Sequence, residues 1–368
     1  MTDRLRLIKT VEDLHYYLIH GMMIEHATFP PYITALYSLK PGSNLEAFHV
    51  IRAVAVEEML HLTLVANVFN AVGGDWTKGV LTDEGDCTKG VLTADDFIPT
   101  YPTHLPTGAT DFEVHLRKFS PETVEMFMNI ERSHEVPDDA PLVRPRRENQ
   151  WLRILGLDPT KTYYSIGLFY AEVIRGMQEL HREMGDALFC GDPKKQVTPE
   201  YYYDGAGEII PVTDIRSAVR ALRVIQEQGE GSRHGTIYDA ERELSHYYRF
   251  QQLKLGQYYV IDKENPLNSD HPNQPTGQTF NVDWDAVYPV LEDAKLSDYP
   301  EGSEVYTHAQ QFQKAYRDFL AQIQFAFNGH PEKLLPAIAG MFRLKESATQ
   351  LIRNPIPGKE GVNAAPIY

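Results

Sequence analysis

A carboxylate and an imidazole interrupt an apolar helical stripe at Glu58-Met-Leu-His61. The apolar residues around them recur with a period near 3.6, which predicts one buried face of a helix: Ile51, Val54, Ala55, Leu62, Val65 and Phe69. Because an isolated ionised carboxylate among aliphatic side chains is very costly, Glu58 has to be paired, protonated or metal-bound. Residues three apart share a helix face, so Glu58 and His61 can bind one ion. The alternative for His61 is a core histidine whose hydrogen bonds are satisfied.

The same spacing recurs at Glu243-Leu-Ser-His246, within a helix predicted over 236–256. This helix is shorter and its stripe is more polar, so the interpretation depends on the match to the first pair. Glu227 or Glu230 could supply the carboxylate in place of Glu243. Three further copies of the spacing begin at Glu12, Glu46 and Glu131. Because charged residues commonly occupy helix ends, where these three copies lie, we interpret them as background.

Two more carboxylates on other predicted helices are candidate metal ligands. Glu25 takes the position of an aliphatic residue on the apolar face of the first helix. Glu172 flanks the core stripe of a helix predicted over 162–189, and Glu179 follows it as an alternate. For each of them a structural ion pair or a solvated acidic face is the competing interpretation. The predicted metal shell is Glu25, Glu58, His61, Glu172, Glu243 and His246.

These donors predict two iron ions, with manganese as the alternative. Carboxylate oxygens and imidazole nitrogens suit iron or manganese, whereas a structural zinc site would depend on cysteine. The two cysteines, Cys87 and Cys190, form no CxxC pair and no disulfide framework. Glutamates shared by two ions can hold them close enough to activate O₂ together, so O₂ is an expected co-substrate. The many tyrosines near these helices are interpreted as amphipathic core.

Helical periodicity along most of the chain predicts an all-α fold with long insertions. Residues 75–120 lose this periodicity and contain the hexamer Thr-Lys-Gly-Val-Leu-Thr at 77–82 and again at 88–93, which we interpret as a loop without chemistry. Pro30-Pro31 is expected to interrupt the first helix. The predicted organisation is a helical bundle over 1–260 and a loop with a C-terminal helical hairpin over 261–368, forming one continuous domain.

Charge and the absence of other motifs exclude several functions. The net charge of -16 and the lack of a dense Lys/Arg run argue against nucleic-acid binding. No apolar stretch reaches the length of a membrane span and the N-terminus has no apolar signal region, so a soluble cytoplasmic protein is expected. The sequence also contains no G-x-S-x-G elbow, P-loop or dinucleotide-binding fingerprint.

Several motifs together closely resemble the ferritin-like family of iminophenyl-pyruvate dimer synthases, which includes the ferritin-like portions of violacein and rebeccamycin pathway enzymes. The first motif is Glu25-His-Ala-Thr-Phe-Pro-Pro-Tyr, followed by Val56-Glu-Glu-Met-Leu-His-Leu and Ala66-Asn-Val-Phe-Asn-Ala-Val-Gly-Gly. Further similar segments are Tyr164-Ser-Ile-Gly-Leu-Phe-Tyr, Gln228-Gly-Glu-Gly, Ser245-His-Tyr-Tyr-Arg-Phe, Phe327-Asn-Gly-His-Pro and Met341-Phe-Arg-Leu. The resemblance therefore extends over nearly the whole chain.

The resemblance implies a ferritin-like four-helix bundle with long loop insertions and additional C-terminal helices. It also implies that Glu25, Glu58, His61 and His246 belong to a metal site. The expected function is a di-iron, O₂-dependent oxidoreductase acting on a small molecule in specialised metabolism. The alternatives are coupling of aromatic amino-acid imines, iron binding or oxidation without an organic substrate, and a metal-free binding protein. A homo-oligomer is compatible with all of them, although the bulky insertions at 75–120 and 262–300 disfavour the close packing of subunits in an iron-storage cage.

Overall fold

Two long antiparallel helices, α1 (Val11–Ser38) and α2 (Leu45–Ala71), make the most extensive helix pair of the fold. The structure is a computed structural model of the 368-residue chain. The structure describes residues 8–77, 90–105, 112–133, 165–203, 205–231, 237–239, 241–260 and 275–368. Most of the duplicated hexamer therefore lies outside the described residues.

The remaining helices pack around this pair. They are α3 (Pro121–Ile130), α4 (Ile166–Met184), α5 (Ile215–Glu230), α6 (His246–Leu255), α7 (Glu304–Phe327), α8 (Leu334–Ile338) and α9 (Gly340–Ile352). Helix α4 packs on α1 and α5, helix α5 also packs on α2, and α3 pairs with α6 beside them. Helices α7 and α9 cover α2 and α1 respectively. Among the described residues, β-structure is limited to isolated bridges, so the predicted all-α fold is confirmed.

Local sequence accounts for where several helices begin. Thr10 and Asp13 form a capping box at the start of α1, as the sequence predicts. Ser165 accepts a hydrogen bond from the amide of Leu168 at the start of α4, and Asp214 accepts one from the amide of Ser217 at the start of α5. These hydrogen bonds satisfy backbone groups that a helix end leaves without an intrahelical partner.

The predicted interruption at Pro30-Pro31 is wrong, because α1 continues through both prolines to Ser38. Pro31 has no N–H to donate to the carbonyl of Ala27, four residues earlier. The hydroxyl of Tyr101 donates to that carbonyl instead, at 2.8 Å. A side chain from a distant segment thus replaces the hydrogen bond that proline removes, and the helix stays continuous beside Glu25.

The C-terminal segment contributes to the same apolar interior as the helices before it. Buried side chains of α7 and α9 lie in one apolar cluster with those of α1 and α2. The boundary predicted at residue 260 stays a prediction. In the part of the chain that the structure describes, every helix is too short or too polar to cross a membrane.

Candidate metal centre

Two groups of buried metal-ligating side chains meet at Glu58. The first, which we call position A, consists of Glu25, Glu58 and His61. The second, position B, consists of Glu58, Glu131 and His246. Within each group one ligand atom per residue lies within 4.8 Å of the others. All five residues are buried, so the carboxylate of Glu58 is shared by two histidine–carboxylate groups shielded from water.

Position A combines side chains from helices α1 and α2. The Nδ1 atom of His61 lies 3.2 Å from Oε2 of Glu25 and 3.5 Å from Oε2 of Glu58. On the opposite side of the ring, Nε2 of His61 donates to Oε1 of Gln228 at 2.9 Å. The hydroxyl of Tyr170, from α4, donates to Oε1 of Glu25 at 2.5 Å. These contacts fix the imidazole with Nδ1 facing the carboxylates.

Position B has the same composition from other helices. His246 is the first residue of α6, and Glu131 follows the last residue of α3. The Nδ1 atom of His246 lies 3.2 Å from Oε1 of Glu58 and 3.4 Å from Oε2 of Glu131. Its Nε2 donates to Oε2 of Glu57 at 2.6 Å, and the hydroxyl of Tyr32 donates to Oε1 of Glu131.

The Nδ1 atom of His246 supports a metal ion at position B. It is fully buried and lies near two carboxylate oxygens, but neither contact has the geometry of a hydrogen bond. A cation bound between these three atoms would satisfy the nitrogen and both carboxylates. The donor set of three carboxylates and two imidazoles fits divalent iron or manganese.

The pKa shifts at the centre reflect a concentration of negative charge. Burial and the charge of Glu131 raise the pKa of Glu58 to about 7. Burial would lower the pKa of His61, but the hydrogen bonds and charges of Glu25 and Glu58 outweigh it and raise the value to about 10. The pKa of His246 is likewise raised well above its usual range, against the effect of burial, by Glu131 and its neighbours. Without metal ions the two imidazoles therefore carry the positive charge that offsets the carboxylates.

The structure brings together Glu25, Glu58, His61 and His246 of the predicted shell. It does not bring Glu172 or Glu243 to either position. The carboxylate of Glu172 accepts hydrogen bonds from the amide of Ile8, at 3.0 Å, and from Arg175, so its charge is already compensated. Glu243 is exposed and precedes α6, since that helix begins only at His246. The helix predicted over 236–256 is therefore wrong over the residues described before 246, and the Glu243–His246 spacing does not share a helix face.

The three alternates also have other roles. Glu230 accepts from the amide of Gly167 at 2.7 Å, and burial raises its pKa to about 7. Glu179 pairs with Arg175 on a partly exposed face of α4. Glu227 is half-buried and lines a surface cleft of about 560 Å³. None of the three belongs to position A or position B.

Sequence reasoning missed Glu131. Its position at a helix end suggests capping, but Glu131 lies four residues after Phe127 and seven after Val124, both fully buried. That spacing puts Glu131 on the apolar side of α3 and could have identified it.

A third group of possible ligands, His115, Glu292 and Asp293, lies near the surface. Its histidine donates to Asp293 at 2.5 Å, which accounts for the contact without an ion.

A small cavity of about 10 Å³ touches position A. Glu25 and Glu58 form one wall, and α7 contributes Tyr316, Phe319, Leu320 and Ile323 to the others. Leu320 also lines an outer cleft of about 500 Å³ between the segment 92–101 and the C-terminus. Leu320 is thus common to the cavity at the candidate metal centre and the outer cleft.

Carboxylates and histidines that project into the core of a helical bundle are also found in ferritin-like dimetal proteins. A ferritin-like family model matches residues 18–255, and the chain belongs to the ferritin-like family. It is similar to a solved structure of a ferritin-like protein from Caulobacter vibrioides, with a TM-score of 0.58 and 20% identity over 98% of this chain and 99% of that chain. At that identity the likeness supports the fold alone. No curated protein matches the chain.

Proposed function

We propose that this ferritin-like protein holds two divalent metal ions, iron by preference and manganese as the alternative. The ligands are Glu25, Glu58, His61, Glu131 and His246. The observation that carries the proposal is the position of Glu58, whose two carboxylate oxygens face two different buried histidines at 3.5 and 3.2 Å. A bridging carboxylate flanked by imidazoles is the arrangement that dimetal carboxylate proteins use.

The surrounding side chains hold this arrangement in place. Gln228 and Glu57 accept the Nε2 protons of the two histidines, which leaves both Nδ1 atoms free to face ions. Tyr170 and Tyr32 donate to one oxygen of Glu25 and Glu131 and thereby orient the second oxygen. A bound iron pair would supply one-electron and O₂ chemistry, while burial of the ligands keeps bulk water out.

An O₂-dependent oxidation of a small organic molecule is the activity that we favour. The cavity at position A is apolar apart from Glu25, Glu58, His26 and Tyr316, which suits a small apolar molecule such as O₂. The outer cleft beyond Leu320 combines apolar walls and Tyr101 with two exposed cations, Lys295 and Arg317, and two carboxylates, Asp95 and Asp293. This lining offers partners for both the carboxylate and the amino group of an amino acid with an apolar body, so we propose an aromatic amino-acid derivative as the substrate class.

Two alternatives make different predictions. Coupling of aromatic amino-acid imines would use the same cleft and yield a dimeric product. Iron oxidation without an organic substrate would leave the outer cleft without a role, and it predicts a large iron-filled particle. Size-exclusion chromatography after iron loading tests this second alternative, because such a particle would contradict the enzymatic proposal.

Metal content of matched variants tests the central proposal. Iron-replete wild-type protein is expected to contain about two iron ions per chain by elemental analysis. Glu58→Gln removes the shared ligand and is expected to reduce the content below one, whereas Glu172→Gln, a buried glutamate outside both positions, is expected to keep two. Wild-type protein with no more iron than Glu58→Gln would contradict the dimetal proposal.

The enzymatic part needs a second measurement. O₂ consumption by the reduced, iron-loaded protein is expected to rise when an aromatic 2-oxo acid or its imine is added, with an oxidised product visible by mass spectrometry. If none of these compounds accelerates O₂ consumption, the proposed substrate class is contradicted. The metal proposal is then unaffected.

A further inference from the structure

The two metal positions have matched ligands. Each position offers one imidazole Nδ1, one glutamate that receives a tyrosine hydroxyl, and one oxygen of Glu58. Among the described residues, the two positions differ behind the histidines, in the residues that accept hydrogen bonds from Nε2 of His61 and Nε2 of His246.

Behind His246 the hydrogen-bond acceptor is a carboxylate. Oε2 of Glu57 accepts from Nε2 at 2.6 Å, and Oε1 of Glu57 accepts from Arg249 at 2.7 Å. The ion pair with Arg249 makes Glu57 a charged acceptor for the histidine. Because Arg249 offsets the net charge, Glu57 acts on position B through its hydrogen bond rather than through a long-range field.

Behind His61 the acceptor is a neutral amide. Oε1 of Gln228 accepts from Nε2 at a longer distance, 2.9 Å, and the amide nitrogen of Gln228 donates to the carbonyl of Ala206. A hydrogen bond to an ionised acceptor is stronger than one to a neutral acceptor. A carboxylate behind a metal-bound histidine also increases the basicity of the imidazole, and removal of such partners typically weakens metal binding about 10- to 100-fold.

The space beside the two positions also differs. Among the residues that belong to one position only, Glu25 of position A lines the small internal cavity, whereas Glu131 and His246 of position B do not line it. A small molecule in this cavity would therefore lie beside position A.

We propose that position B binds the first metal ion and binds it more tightly, while position A takes a second, exchangeable ion. This inference rests on the dimetal function proposed above. It assigns Glu57 and Gln228 as the positioning residues that make the two sites unequal. A tightly held ion at position B would leave position A as the side on which small molecules meet the metal pair.

Anomalous diffraction from crystals of the full chain with one equivalent of Mn²⁺ tests the order of binding. The expected peak lies among Glu58, Glu131 and His246, with at least about tenfold weaker binding of the second ion in a solution titration followed by Mn²⁺ EPR. A first peak among Glu25, Glu58 and His61, or equal occupancy of both positions, would overturn the inference. No peak at either position, even with excess Mn²⁺, would contradict the dimetal function itself.

Two matched variants test the cause. Glu57→Gln gives both histidines an amide acceptor, and the ratio of the two dissociation constants is expected to fall towards one. Gln228→Glu gives both a carboxylate, and the ratio is expected to fall because binding at position A becomes tighter. An unchanged ratio in both folded variants would overturn the role of these acceptors. If one variant fails to fold, the other variant and the wild-type diffraction experiment still decide.

Discussion

The hydroxyl of Tyr170 donates a 2.5 Å hydrogen bond to Glu25 across 145 residues of sequence, and Tyr32 donates in the same way to Glu131. Burial and the adjacent carboxylate raise the pKa of each phenol well above its usual range, so both tyrosines remain protonated donors at neutral pH. Each of the two outer carboxylates of the candidate metal centre thus accepts a hydrogen bond from a tyrosine that sequence periodicity alone assigns to the core.

The first prediction concerns these two tyrosines. Tyr170→Phe removes the donor to Glu25 and is expected to weaken binding at position A roughly tenfold, since partners of metal ligands typically contribute that much. Tyr32→Phe is expected to weaken binding at position B to a similar extent. Mn²⁺ titration monitored by EPR measures both, and each variant is the control for the other. Equal effects of either substitution on both binding steps would contradict the separate assignments.

The second prediction distinguishes Glu131, the ligand proposed from the structure, from Glu243, the ligand expected from the sequence. Glu131→Gln removes a ligand of position B and is expected to reduce the iron content by about one ion per chain. Glu243→Gln changes an exposed residue before α6 and is expected to leave the content at two. Elemental analysis of the two proteins, purified in parallel without chelator, gives the comparison. A loss of iron in Glu243→Gln but not in Glu131→Gln would restore the original assignment.

Glu131 and Glu243 show which candidate ligands can be predicted from the sequence alone and which cannot. Glu58, His61 and Glu25 were predictable because each lies in the middle of a long apolar stripe, where a charged group has no local explanation. Glu131 stands at a helix end, where capping is a sufficient local reason for a charge. Its position beside Glu58 and His246 depends on how α3 packs against α6, which no short-range pattern encodes.

The start of α6 and the continuity of α1 were missed for related reasons. A spacing of three residues predicts a shared face only when both residues are helical, and nothing in the local pattern excluded a helix start at His246. At Pro30-Pro31 the local rule was sound, but Tyr101 supplies the missing donor to the carbonyl of Ala27, 74 residues away in the sequence. Tertiary contacts of this kind override local preferences and can be recognised only in the folded chain.

The third prediction tests that compensation. Tyr101→Phe leaves the buried carbonyl of Ala27 without a donor, which is expected to reduce the free energy of unfolding by about 1–3 kcal/mol. Tyr201→Phe is the control, because within the described residues its hydroxyl makes no hydrogen bond, and a change within about 0.5 kcal/mol is expected. Urea denaturation of the metal-free proteins measures both. Equal stability of the two variants would mean that Tyr101 does not support α1.

The fourth prediction concerns pH and follows from the raised pKa of His61. In the metal-free protein this pKa is about 10, compared with about 6.5 in an unfolded chain. A group whose pKa is raised by folding contributes stability that is fully present below the unfolded value and is lost as the pH rises through the folded value. The stability advantage of wild-type protein over His61→Gln, measured by denaturation with chelator present, should therefore shrink between about pH 6.5 and pH 10.

Metal binding should respond to pH in the opposite direction. An ion can bind Nδ1 of His61 only when the ring is neutral. In the metal-free protein Glu25 and Glu58 stabilise the protonated imidazole at neutral pH, so binding of an ion there releases the imidazole proton. Apparent affinity for Mn²⁺ is therefore expected to rise with pH between 6 and 8, and calorimetry in buffers of different ionisation enthalpy should detect proton release. In His61→Gln fewer protons should be released per ion bound. Equal proton release by the two proteins would contradict a protonated His61 in the metal-free centre.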